Sequence, residues 1–145
     1  MDDSERRLIE QQCRDLVVEL CHLSDHGERE KSVACFAPDG TWIRGGKPYT
    51  GRAEMLQSFR GSPTQVIRHI TSNILITVKD DKTAEGVTYY LAFHNDPGTA
   101  QPKLPLPLDP PFSLGEWHDK FVKTAEGWRI LHREVKRFFQ ATGGH

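Results

Sequence analysis

Two side chains stand out as groups that could move a proton, Asp25 and His69. Asp25 closes a stretch in which Ile9, Cys13, Leu16, Leu20 and Leu23 recur at helical steps of four and three. At about 100° per residue it projects ~40° from Cys21 and ~20° from Val18, on the flank of the apolar stripe. It also sits in the last turn before Gly27, where the helix dipole disfavours a carboxylate unless a cation or hydrogen-bond donor relieves the cost. A solvated carboxylate near a helix end is the plainer alternative. His69 interrupts an aliphatic run and shares its strand face with Ile67, Thr71 and Asn73. A buried imidazole needs a partner for at least one ring nitrogen, and through the other it can act as a base. A structural histidine bonded to backbone is the alternative there.

Softer candidates lie on later strands. Tyr89 and Tyr90 point to opposite sheet faces, so one of them faces any pocket and can donate a proton or hold a carbonyl oxygen. His118 and Asp119 alternate in the same way. His94 and His132 complete the strand histidines, but no H-x-H or HExxH spacing links them, so no metal site is expected. No nucleotide motif appears either, and no cofactor is expected. The cysteines, Cys13, Cys21 and Cys35, lack CxxC spacing and read as reduced thiols, with Cys13 and Cys35 on apolar helical faces. Lys plus Arg number 19 against 20 for Asp plus Glu, and the basic residues are dispersed, which excludes a dedicated nucleic-acid binder. No stretch approaches the ~20 apolar residues of a membrane span. The acidic start lacks the apolar core of a signal peptide, and a cytoplasmic protein is expected.

The elements that must position these groups follow in order. Residues 5–25 predict a long helix capped by Ser4 and stopped at Gly27. A shorter helix over 28–36, closed by Ala37-Pro38-Asp39-Gly40, completes a helical hairpin. Thr41 to Arg44 and Tyr49-Thr50 form a small β-hairpin across Gly45-Gly46-Lys47-Pro48. Gly51 to Phe59 suits a third helix with Met55, Leu56 and Phe59 inward. Val66 to Val78, Gly86 to His94, Glu116 to Thr124 and Trp128 to Phe138 are rich in strand formers. Residues 95–112 hold six of the nine prolines and cannot form a central strand, so they read as a loop, an ordered lip or a lid. The whole chain, 1–145, reads as one α+β domain with its helices on one face of a bent, mixed or antiparallel sheet.

Several segments resemble SnoaL-like proteins of the nuclear transport factor 2-like superfamily. They are Leu23-Ser24-Asp25-His26-Gly27, Cys35-Phe36-Ala37-Pro38-Asp39-Gly40-Thr41-Trp42, Tyr49-Thr50-Gly51-Arg52, Arg68-His69-Ile70-Thr71-Ser72-Asn73 and Gly127-Trp128-Arg129-Ile130. The similarity spans roughly residues 5 to 135, and it implies a cone-shaped α+β barrel around a pocket. In the scytalone dehydratase, dehydrochlorinase and bile-acid dehydratase branches, an Asp ending the first helix and a His in the long strand form a general-base dyad. The matching positions are Asp25 and His69. The resemblance also implies that Trp42 lines the pocket, and an acidic residue of the polyketide cyclases lies near Asp119. Ser24 and Leu20 depart from the branches that carry a Tyr and a basic residue there.

The expected function is a cofactor-independent lyase or isomerase, dehydratase- or cyclase-like, acting on a small apolar cyclic or polyketide-like molecule. Asp25 and His69 would be catalytic; Trp42, Tyr89, Tyr90, His118, Asp119, Asn73 and Cys21 would contact substrate. The alternative is a non-enzymatic small-molecule-binding or accessory subunit of the same fold. Family members are commonly dimers or trimers, so a homodimer or homotrimer is expected.

Overall fold

The computed structural model describes residues 1–108 and 111–142. Helix α1 spans Asp3–Asp25. Asp2, rather than the expected Ser4, caps it. The Asp2 carboxylate accepts the Glu5 N–H at 2.8 Å, and the Glu5 carboxylate accepts the Asp2 N–H at 2.9 Å. This reciprocal box satisfies two donors that a helix start leaves open, and it draws Ser4 into the first turn. Ile9, Cys13, Leu16, Val17 and Leu20 form the buried stripe.

Helix α2 covers only Arg29–Val33. The expected continuation to residue 36 is overruled by the sheet. Phe36 pairs in parallel with Ile130, whose N–H donates to the Cys35 carbonyl at 3.0 Å. Cys35 is therefore buried at the helix-to-strand junction rather than on a helical face. Ala37 to Gly40 belong to strand β1 (Phe36–Arg44) instead of closing a helix. Gly40 is required there, because a Cβ would lie 3.0, 3.1 and 3.3 Å from the carbonyl oxygens of Ala37, Ile130 and Leu131. Strand β2 (Lys47–Thr50) returns through Gly45 and Gly46, at φ 58° and 77°. A two-residue hairpin of this hand needs positive φ at both positions. Helix α3 (Arg52–Gln57) seats Met55 in the core, and Arg52 donates to the Phe36 carbonyl from Nε at 3.0 Å and Nη2 at 2.7 Å.

Strands β3 (Val66–Val78), β4 (Thr83–Asn95), β5 (Ser113–Thr124) and β6 (Gly127–Gln140) form an antiparallel meander. The sheet order is β2-β1-β6-β5-β4-β3, with β1 and β6 the one parallel pair among the described residues. The sheet curls without closing, since β2 and β3 remain its outer strands. α1 packs against β3 and β6. Of the proline-rich stretch, positions 109 and 110 lie outside the described residues; 96–108 hold no helix or strand. Among the described residues no helix is long and apolar enough to cross a membrane.

Two bulges decide which residues face inward. On β4 and β5 the alternation is regular: Ala84, Gly86, Thr88, Tyr90 and Ala92 are buried, as are Ser113, Gly115, Trp117, Asp119 and Phe121. On β6, Lys120 pairs with His132 but Phe121 pairs with Ile130, so Leu131 is extra. The bulge lets Ile130 and Arg133, three apart, both point into the core. On β3 the register slips between Ser72 and Leu75, where Asn73 takes φ 52°.

Candidate functional site

The site forms where the last turn of α1 meets β3. The His69 backbone N–H donates to Asp25 Oδ2 at 2.9 Å, and Asp25 Oδ1 lies 2.6 Å from His69 Nδ1. One carboxylate thus grips both the main chain and the ring of the same residue. With the carboxylate ionised and the ring neutral, Nδ1 carries the hydrogen and Nε2 presents its lone pair. The Asp25 side chain is 5% exposed and that of His69 19%, so the acid is enclosed while the ring reaches open space.

Aromatic side chains hold the ring. His69 packs against Tyr90 and Trp117, at centroid distances of 6.0 and 5.5 Å, and those two stack on each other at 5.0 Å. The Arg133 guanidinium sits 4.4 Å from the Trp117 ring centroid. Asp119 binds that guanidinium through two bonds, Nε to Oδ1 at 2.7 Å and Nη2 to Oδ2 at 2.8 Å. Both partners are essentially inaccessible to solvent. The dyad opens on a cavity of about 930 Å³ whose lining includes Trp42, Arg44, Tyr90 and Trp117. That size suits a small organic ligand.

Cys21 also lines this cavity, with its Sγ 4.0 Å from the His69 carbonyl oxygen. Burial, helped by the Asp25 charge, pushes its thiol up to about 12. Cys21, Asp25 and His69 bring donor atoms within 4.8 Å of one another, a cluster that the linear spacings did not reveal. Its donor chemistry is poor for a metal. Both Asp25 oxygens are already committed to His69, so a metal would have to displace the contacts that orient the ring.

The SnoaL-like domain family matches residues 5–134. The chain belongs to the SnoaL-like family. No curated protein matches it in sequence. Among solved structures it is similar to a candidate scytalone dehydratase of Novosphingobium aromaticivorans, at TM-score 0.80 and 18% identity. That alignment covers 99% of this chain and 93% of the other. An NTF2-like protein with a cystatin-like fold from the same species aligns at TM-score 0.73 and 22% identity, over 98% and 94% of the two chains. A Catenulispora acidiphila protein crystallised with S-DNPA aligns at TM-score 0.71 and 20% identity, over 90% and 94%. At these identities the likeness is one of fold.

Within this SnoaL-like chain the other expected site residues separate. Trp42, Tyr90 and Cys21 line the cavity with the dyad. Tyr89 does not: its side chain lies on the opposite sheet face and is largely exposed. Asn73 sits at the β3 bulge, exposed, with its amide oxygen accepting from Ser72 Oγ at 2.7 Å. The bulge breaks the alternation that would have carried it round with His69. His118 points away from the core and lies 2.8 Å through Nε2 from Glu116. Asp119 points inward but is spent on Arg133. The sequence reading missed Arg44, Trp117 and Arg133. Trp117 shares its strand parity with Asp119, which could have revealed it, whereas no local pattern marks Arg133 beyond the Leu131 bulge.

Proposed function

We propose that this protein is a cofactor-independent lyase or isomerase in which Asp25 and His69 act as a general-base dyad on a small cyclic or polyketide-like substrate. The observation that carries the proposal is the 2.6 Å Nδ1–Oδ1 contact at a cavity wall, with Nε2 bonded to none of the described residues. A base oriented through one nitrogen and free at the other is what proton abstraction from carbon needs. His69 Nε2 would take a proton from a carbon next to a carbonyl, and the C–H electron pair would move into the substrate. Asp25 would stabilise the imidazolium that forms. In a dehydration the pair forms a C=C bond while the C–O bond breaks, and the proton leaves with the hydroxyl as water. Tyr90 lines the cavity beside His69, and its hydroxyl, with no hydrogen bond to the described residues, would donate to a substrate oxygen.

The test is exchange of substrate C–H for deuterium from solvent, followed by NMR across a panel of cyclic β-hydroxyketones. The native protein should accelerate exchange or elimination, and His69→Ala or Asp25→Asn should lose about 10²–10⁴-fold. Full activity in His69→Ala, or no acceleration by the native protein, would leave a binding module in place of an enzyme.

A further inference from the structure

Six arginines line the cavity, Arg29, Arg44, Arg60, Arg68, Arg133 and Arg137, and among the described residues Asp25 is the single carboxylate lining it. Most of these cations are already engaged. Arg133 is neutralised by Asp119, Arg29 donates to the Gly61 carbonyl, Arg60 to those of Gln57 and Phe59, and Arg68 to those of Asp25 and Ile67. Arg137 donates to Gln140 Oε1. Arg44 differs. Its guanidinium carbon lies 4.4 Å from the Trp42 ring centroid, 5.0 Å from that of Phe59 and 5.1 Å from that of Tyr49. Its one hydrogen bond is from Nη2 to the neutral Ser58 hydroxyl, and no acidic side chain pairs with it among the described residues.

Arg44 Nε is buried without a hydrogen-bond partner, and so is the indole Nε1 of Trp42. The two unpartnered donors thus belong to residues two apart on one face of β1, with the guanidinium over the indole ring, and both residues line the cavity. Leaving such donors dry is costly, and a cation more so, even when aromatic faces recover part of the cost. Desolvation lowers the Arg44 pKa, in keeping with a cation held away from water and without a counter-charge. What is missing is an acceptor with negative charge. A carboxylate matches the planar fork of a guanidinium through two parallel bonds.

We propose that Arg44, boxed by Trp42, Tyr49 and Phe59, is the anion-recognition site of the cavity, and that the ligand is a cyclic or aromatic carboxylic acid bound through its carboxylate. The identity of that acid as a substrate rests on the general-base reading above; the anion site itself does not. The carboxylate end would anchor at Arg44 and leave the carbon skeleton against Trp117, Tyr90 and His69.

The test is calorimetric titration of the whole protein with naphthoate, and with naphthamide as its neutral isostere. The native protein should prefer the acid by about 10–100-fold, as a charge-assisted pair implies. Arg44→Gln should bring that ratio close to one. Arg44→Lys, which keeps the charge but loses the fork, should fall between. Should Arg44→Gln fail to fold, the Arg44→Lys ratio and the native preference still decide the matter. No preference for the acid in the native protein, or an undiminished one in either folded variant, overturns the assignment. Asp25→Asn separates the two readings. Loss of exchange activity with the acid preference intact leaves both standing. An unchanged exchange rate sinks the dyad alone.

Discussion

Replacing Asp119 by Ala tests the buried ion pair that backs the aromatic wall. The Arg133 side chain is 2% exposed and that of Asp119 0%, with both bonds shorter than 2.9 Å. Taking two charges out of water costs several kcal/mol each, so the pair as a whole adds little net stability. Removing one partner is different, because Arg133 is then left buried without its counter-charge against the Trp117 face, 4.4 Å away. A cation stranded in this way typically costs about 3–5 kcal/mol, toward the lower end where it lines a cavity that water can enter. The expected loss is therefore about 3 kcal/mol. For a chain of this length that lowers Tm by roughly 10 °C. Urea unfolding followed by tryptophan fluorescence measures it directly, because Trp117 stacks on the affected guanidinium. The double variant Asp119→Leu/Arg133→Met should recover at least half of the loss, since no charge is then left behind. A single-variant cost below about 1 kcal/mol, or a double variant whose loss is the sum of the two singles, would refute the reasoning.

Gly115→Ala should destabilise the chain by about 1–3 kcal/mol in the same assay, because its Cβ would lie 2.3 Å from the Lys136 carbonyl oxygen and 2.9 Å from Tyr90 Cε1 and Oη. The Tyr90 ring would shift with it, and an unchanged urea midpoint would mean that the two strands part at little cost. The Cys13 thiol is fully buried and is pushed up to about 12 by burial, with the Asp119 charge adding. Above pH 9 the unfolded chain ionises first, so this thiol's contribution is complete below that pH and declines toward 12 by about 1.4 kcal/mol per pH unit. Unfolding free energies at about pH 9 and about pH 10.5 should therefore diverge less in Cys13→Ala than in the native chain; equal slopes would contradict it.

How much of this was readable beforehand depends on whether the deciding interaction is local. The α1 stripe was, because Ile9, Cys13, Leu16 and Leu20 repeat at the helical period and all four are buried. Strand β3 was recovered with both ends in place, 66 to 78. The end of α2 was not, because Phe36 is taken from the helix by a parallel ladder to Ile130, almost a hundred residues along the chain. Alternation said that one of Tyr89 and Tyr90, and one of His118 and Asp119, must face inward without deciding which; the structure turns in Tyr90 and Asp119, and alternation could not say that Asp119 had a partner. That depended on Arg133, which simple alternation from Trp128 and Ile130 turns outward. One extra residue at Leu131 reverses its direction. The same device, at Asn73, removes from the cavity a residue that alternation had put there.

These two bulges also govern the electrostatics of the cavity. Were β6 regular, His132 rather than Arg133 would face Asp119, and a buried carboxylate would have a far weaker partner behind the Trp117 wall. Because Arg133 takes that role, Asp119 is neutralised within the core and adds no net negative charge to the cavity. Asp25 is then the carboxylate nearest the open space, and it is committed to His69 through both oxygens. The negative charge of the site is thus drawn to one wall, while Arg44 on β1 stays unpaired on another. Separation of this kind is useful only if the two do not neutralise each other directly. Arg44 is held among Trp42, Tyr49 and Phe59, so an acid seated with its carboxylate there, as proposed, would lay its carbon skeleton toward His69.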